Sequence, residues 1–243
     1  MLTIFKKEIN SFFSSITGYV VMIVFLLALG LFVWVFPDSN VLDYGYSSLD
    51  PLFFYAPWIF IFLIPAITMK SFSEEIKSGT IELLSTRPVT DLQIVLGKYF
   101  ASLFLVVFSI APTLIYFYTI YQLGAPKGNM DIGATWGSFI GLIFLSATFV
   151  SIGIFTSSIT SNQIVAFILA VFLCFFSYLA FDMLSKLNIF QGTIDTLVQN
   201  IGINYHYQSI SRGVVDTRDA LYFISFVTIF ILLTRTSLQS KKW

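Results

Sequence analysis

Apolar residues run through this chain in long stretches, separated by short polar segments. Residues 18–36, 52–69 and 99–121 contain no Asp, Glu, Lys or Arg, and neither does the 50-residue stretch 132–181. A helix the length of 18–36, at about 1.5 Å per residue, comes close to the roughly 30 Å of a bilayer's hydrocarbon. The first three stretches each predict one membrane-spanning helix. The fourth is too long for one crossing. The polar run Ser157-Ser158-Ile159-Thr160-Ser161-Asn162-Gln163 divides it into spans at 136–156 and 164–181, a tight helical hairpin. A last apolar stretch, 220–234, is short and is expected to gain a turn at either end, with Arg235 reaching to the interface. The pattern predicts six spans. Pro57 and Pro65 fall inside the second and Pro112 inside the third. Each leaves a carbonyl that a neighbouring helix or water must satisfy.

The segments between the spans carry a different periodicity. Ahead of the first span, Leu2, Phe5, Ile9, Phe12, Phe13 and Ile16 recur at helical spacing, with Lys6 and Lys7 on the flank. This predicts a helix lying in the membrane interface, as against a plain continuation of the first span. Lys6 and Lys7 before an apolar stretch also suit a signal peptide, but the stretch is too long and no small-residue cleavage site follows, so an uncleaved span is expected. Between spans two and three, Ile76, Thr80, Leu83 and Leu84 share one helical face. Ser71 with Glu74, and Thr90 with Gln93, each fit a capping box, while Pro88 stops the first helix. The reading is a helix–turn–helix elbow over 71–97, its apolar stripe laid on headgroups or docked into another protein. Between spans five and six, Leu187, Phe190, Ile194, Leu197, Val198 and Ile201 give 182–219 an amphipathic face, predicting a short helix or helix pair. Gly133, Gly137 and Gly141 recur at every fourth position of span four, a spacing that admits a neighbouring helix closely. Packing within the chain is favoured there over a subunit interface.

Composition narrows the class. Of 243 residues, 57% are hydrophobic, 18% aromatic and 11% charged, where a soluble domain carries about 25% charged residues. A soluble enzyme and a disordered segment are excluded, and 13 basic against 13 acidic residues speak against a nucleic-acid binder. The fold class is an all-α polytopic membrane protein, with one transmembrane domain over 1–243. Its orientation follows from the basic residues. With the N-terminus inside, the inner segments hold Lys6, Lys7, Lys70, Lys77, Arg87, Lys98, Arg235, Lys241 and Lys242, and the outer ones only Lys127, Lys186, Arg212 and Arg218. Both termini are expected in the cytoplasm.

Candidate chemistry is sparse. The single cysteine, Cys174, forms no intrachain disulfide. His206, between Tyr205 and Tyr207, reads as a packed or hydrogen-bonded residue in preference to a metal ligand. The nearest approach to a phosphate-binding loop is Gly97-Lys98, but Tyr99 follows it and Leu92 stands where the first glycine belongs. No catalytic residue, cofactor site or metal site is expected. No ionisable side chain falls within the charge-free stretches to couple an ion gradient. The energy source is expected in another protein.

Glu74-Glu75, Ser78-Gly79-Thr80-Ile81-Glu82-Leu83-Leu84, Pro88-Val89 and Leu96-Gly97-Lys98 resemble the ABC-2 type permeases of bacterial ABC transporters. Lys6-Lys7-Glu8 with Phe12-Phe13-Ser14-Ser15, and Ser209-Ile210-Ser211-Arg212-Gly213-Val214-Val215-Asp216-Thr217-Arg218-Asp219, are similar to the gliding-motility-associated permeases of Bacteroidetes. The resemblance implies an exporter subunit in the bacterial cytoplasmic (inner) membrane, without enzymatic activity of its own. It implies a cytoplasmic ABC ATPase that binds the ATP, and a second permease copy or an auxiliary membrane protein with an extracytoplasmic domain. It also assigns Glu74, Glu75, Gly79, Thr80, Glu82, Leu83, Leu84 and Pro88 to the surface that couples to the ATPase. A second expectation remains beside it: a non-transporting, force-transmitting scaffold of a motility or secretion complex.

Overall fold

A computed structural model of the chain describes residues 1–37, 39–43, 45–80, 89–186 and 193–241. Among them there is no strand. The helices are α1 (Leu2–Phe13), α2 (Ile16–Trp34), α3 (Asp50–Thr68), α4 (Lys70–Lys77), α5 (Asp91–Ile110) and α6 (Leu114–Leu123). They continue with α7 (Ile132–Ile159), α8 (Gln163–Phe175), α9 (Phe181–Ser185), α10 (Thr193–Gln199), α11 (Ile203–Ser211) and α12 (Thr217–Ser240). Five helical stretches are long and apolar enough to cross a membrane, and α1–α2, bent by 71°, makes a sixth if the pair is counted as one span. The polytopic all-helical expectation holds. That bend also separates α1 from the first span, so the chain does not simply continue from one helix into the other.

The helices outrun the charge-free windows. Span four begins at Ile132, where the Asp131 carboxylate accepts from the Ala134 amide at 2.9 Å, and runs to Ile159. Span six runs over 24 residues from an Asp216 cap. A helix does not stop where hydrocarbon stops, so Lys98 in α5 and Asp219 in α12 lie inside helices and are buried. The expectation that ionisable side chains stay clear of the packed spans is corrected at these two positions.

Proline accounts for the breaks in span three. Its α5 and α6 are joined by a tight 3-10 turn at Ala111–Thr113, built around Pro112. In span two, Pro57 has no N–H to give the Phe53 carbonyl four residues earlier. The Tyr207 hydroxyl of α11 donates to that carbonyl instead, at 2.7 Å. Tyr207→Phe should therefore lower stability by about 1–3 kcal/mol, the cost of an unpaired buried acceptor. The loss should shrink in a Pro57→Ala background, where an amide returns. Equal losses in both backgrounds, measured by thermal unfolding, would remove the carbonyl as the cause.

Span four, α7, is the centre of the bundle, touching α3, α4, α5, α8, α11 and α12. Helices in lipid gain little from apolar contact alone, so close approach depends on small residues. A Cβ on Gly153 would overlap the Thr68 hydroxyl of α3. One on Gly137 would stand 2.7 Å from Gly213 Cα, and one on Gly141 3.1 Å from the Ile210 side chain. Gly137 and Gly141 thus seat the segment from Tyr207 to Gly213, while Gly133 meets only Asp131.

Both termini lie on one face. The end of α12 reaches the hairpin tip, where Ser237 Oγ donates to the Ser158 carbonyl at 3.2 Å and Lys241 Nζ to the Ile159 carbonyl at 3.2 Å. The same tip holds the α3–α4 joint, which in turn meets α1. At the opposite face α9 completes span five, and the predicted helix pair between spans five and six is present as α10 and α11. Leu187 and Phe190 lie outside the described residues.

Candidate functional site: the α1–α4–α5 joint

Three helices converge on the terminal face, each brought there by a local cause. The Thr90 hydroxyl accepts from the Gln93 amide at 3.3 Å and the Gln93 side chain from the Thr90 amide at 3.2 Å, so the predicted capping box starts α5. Seven residues after Thr90, Gly97 leaves room for α1, since a Cβ there would sit 3.2 Å from Ile4 and from the Met1 carbonyl. Phe5 packs edge-on against Phe104 and Phe13 against Phe108. Part of the apolar stripe of α1 is therefore docked on span three, though Leu2 and Ile16 stay exposed.

The second predicted capping box, Ser71 with Glu74, does not form. The helix starts at Lys70 with no cap from its own side chains. Ser157, at the tip of the hairpin, does that work: its Oγ accepts from the Phe72 amide at 2.9 Å and the Ser73 amide at 3.1 Å, and donates to the Met69 carbonyl at 3.0 Å. One hydroxyl thereby satisfies the groups freed where the chain breaks between α3 and α4. The far end of α4 also departs from expectation. The helix stops at Lys77, and Gly79 follows with φ +70°, the left-handed conformation that ends helices at little cost for glycine. The single helical face through Ile76, Thr80, Leu83 and Leu84 is thus interrupted at Gly79.

At the centre of the joint is Lys98. It is 1% exposed; its ammonium donates to Glu8 Oε1 at 2.9 Å and to the Ser71 carbonyl at 2.6 Å, and pairs with the Glu75 carboxylate, whose Oε1 is 3.0 Å away. The Phe72 ring lies 4.9 Å from the nitrogen. Lys7 reaches Glu75 Oε1 at 2.9 Å and Glu8 at 3.6 Å. Burial works to lower the Lys7 pKa, but the hydrogen bond and the charges of Glu75 and Glu8 outweigh it and raise it above the usual lysine value. Glu75 Oε2 is buried and has no partner. A polar cavity of about 370 Å³ opens beside the cluster, lined in part by Lys7, Glu8, Lys70, Glu74, Glu75 and Lys98.

Of the residues predicted to couple, Glu75 is in this cluster and Glu74 lines its cavity, while Gly79 and Thr80 are exposed at the outer end of α4. Glu82, Leu83, Leu84 and Pro88 lie outside the described residues. Lys98, Glu8, Lys7 and Ser157 were not among the expected site residues. Lys98 had a signal: it continues the helical face of Ile94, Val95, Ala101, Ser102 and Leu105, all buried. A lysine on the core face of a helix entering a membrane demands an anionic partner. Glu8, ninety residues away, has no such signature.

On the opposite face His206 is hydrogen-bonded, as read: Nδ1 lies 2.7 Å from Asp219 and Nε2 2.8 Å from the Asn200 carbonyl, with the ring stacked on Tyr222. Among the described residues no three His, Cys, Asp or Glu side chains cluster as a metal site would require. Four charged side chains, Lys7, Glu8, Glu75 and Lys98, tie α1 and α4 to the root of span three.

The protein family described as ABC-2 family transporter protein matches residues 2–242. No curated protein matches the chain.

Proposed function

Since the chain belongs to the ABC-2 transporter family, we propose that it is the permease subunit of an exporter and that the α1–α4–α5 joint receives the stroke of its ATPase. Members of the family are permease subunits without a nucleotide-binding domain, and a partner ABC ATPase hydrolyses the ATP. The observation that carries the coupling role is the buried Lys98, bonded at once to the elbow, through Glu75 and Ser71, and to α1, through Glu8. Coupling over a distance needs a packed contact whose parts move together, and a satisfied charge cluster supplies one.

Placing the terminal face in the cytoplasm of a bacterial inner membrane rests on nine of the 13 basic residues lying on that side. Similarity over residues 209–219 and at the N-terminus supports the gliding-motility subgroup. A second permease copy or an auxiliary protein with an extracytoplasmic domain would complete the assembly. A force-transmitting role without transport draws support from α11, which is tied to span two by Tyr207, to span four by Ser138 and to span six by His206.

Gly79→Trp tests the coupling role. No atom lies within 4 Å of the place a Cβ would take, so the bundle is undisturbed, but a side chain at φ +70° distorts the turn by about 1–2 kcal/mol. Stimulation of the partner's ATP hydrolysis should fall while membrane insertion stays normal. Unchanged stimulation would mean that the elbow merely rests on lipid.

A further inference from the structure

At the face away from the termini, α3, α11 and the π-helical turn Phe176–Ala180 enclose a second cavity, of about 300 Å³. Its walls are aromatic. Trp58, Tyr178 and Tyr207 line it, with Trp58 and Tyr178 inclined at 79° and Tyr178 and Tyr207 at 58°. Their centroids stand 6.2 and 6.4 Å apart, so the three rings touch edge-on or tilted and form one continuous aromatic wall. Tyr178 and Tyr207 are buried while Trp58 and Asp50 are exposed, so the tyrosines close the inner end and Trp58 and Asp50 line the mouth. Eight helical residues separate Asp50 from Trp58, about 12 Å along α3.

The charge of the cavity is one-sided. Asp50 is its single ionic residue, and no Lys or Arg lines it. The Ser211 hydroxyl is buried at the same cavity with no hydrogen-bond partner. A sugar, the other usual guest of aromatic walls, needs free polar side chains. Here Gln208 donates to Asn204 at 3.2 Å, and the Tyr207 hydroxyl is committed to the Phe53 carbonyl. What remains is π surface, one carboxylate, one hydroxyl and the other halves of the Asn204 and Gln208 amides, so the carboxylate is the feature that favours a cation over a sugar.

The geometry points to a binding site for an alkylammonium group, with Asp50 as its counter-charge, Trp58, Tyr178 and Tyr207 as its π surface, and Ser211 pairing with a polar hydrogen or oxygen beside the nitrogen. Organic cations seek the negative faces of aromatic rings, and more strongly where water is excluded. The group could arrive as a free amine or as the headgroup of an amino lipid, because the mouth lies at the end of a spanning helix beside the exposed Phe54 ring.

Choline and its uncharged isostere 3,3-dimethylbutan-1-ol separate charge from shape. The chain with its ATPase subunit, held in phosphatidylglycerol nanodiscs, should bind choline saturably in a calorimetric titration and the isostere at least about tenfold more weakly. Asp50→Asn and Trp58→Leu, both at the open end, should each weaken choline by about tenfold or more. Absence of saturable binding, equal binding of the isostere, or unchanged binding by both variants would overturn the assignment. Repeating the titration in discs containing phosphatidylethanolamine identifies the source. Choline shut out by that lipid marks a headgroup site, undiminished binding marks a site for soluble amines, and both uphold the ammonium chemistry. No ATP is used, so the outcome does not depend on the coupling role of the opposite face.

Discussion

Lys98→Ala should uncouple the permease and cost about 3–5 kcal/mol of stability, the usual penalty for removing one partner of a buried ion pair. The variant leaves Glu8 and Glu75 facing each other, with only the half-exposed Lys7 to offset them. It also leaves the Ser71 carbonyl without its donor. The midpoint of thermal unfolding should fall, and stimulation of the ATPase should fall by about tenfold or more, in line with that free energy. A compensated variant separates the two effects. Lys98→Met combined with Glu8→Gln and Glu75→Gln removes the charges together, so most of the stability should return. Stimulation should stay low, because α1 and α4 no longer share a charged anchor on span three. Full stimulation in Lys98→Ala would show that the cluster is only a structural fixture.

Gly213→Val should be the most damaging change on the opposite face. Gly213 has φ +91°, which disfavours any side chain by about 1–2 kcal/mol. A Cβ there would overlap the Ala134 Cα, in the backbone of α7. Backbone cannot swing aside as a side chain can, so overpacking adds about 1–3 kcal/mol. The expected result is displacement of α11, with Tyr207 drawn off the Phe53 carbonyl and His206 off Asp219. Faster proteolysis of the 193–216 segment would report it. The control Gly133→Ala, where a Cβ would meet only Asp131 at 3.5 Å, should be close to neutral. Resistance to protease equal to that of the parent chain would contradict the close contact.

The spans were legible because lipid leaves a backbone few options. Every N–H and C=O must be paired within the segment, so a long charge-free stretch is a helix. Their ends were less legible. Asp131 and Asp216 cap α7 and α12 outside the apolar windows, and a window drawn by hydropathy cannot see a cap. The elbow shows the limit of local signals. Thr90 with Gln93 forms its box, whereas Ser71 falls inside a helix that already starts at Lys70, and Ser157 of α7 takes the Phe72 and Ser73 amides. The end of α4 was legible too, in Lys77-Ser78-Gly79, a basic last turn followed by glycine, while Pro88 lies outside the described residues. The joint itself was half legible. Its acidic half, Glu74 and Glu75, stood in a motif. Its basic centre depended on a contact between Glu8 and Lys98 that no spacing along the chain encodes.

The most direct test is a single cross-link from the exposed Thr80. In a Thr80→Cys variant the new thiol is the accessible one, because Cys174 is buried. A short bifunctional reagent applied in native membranes should join Thr80→Cys to the ABC ATPase subunit, more efficiently with bound nucleotide than without. A thiol that reacts only with impermeant reagents from outside the cell, or a cross-linked product that lacks the ATPase, would place the elbow on the wrong side and contradict the account.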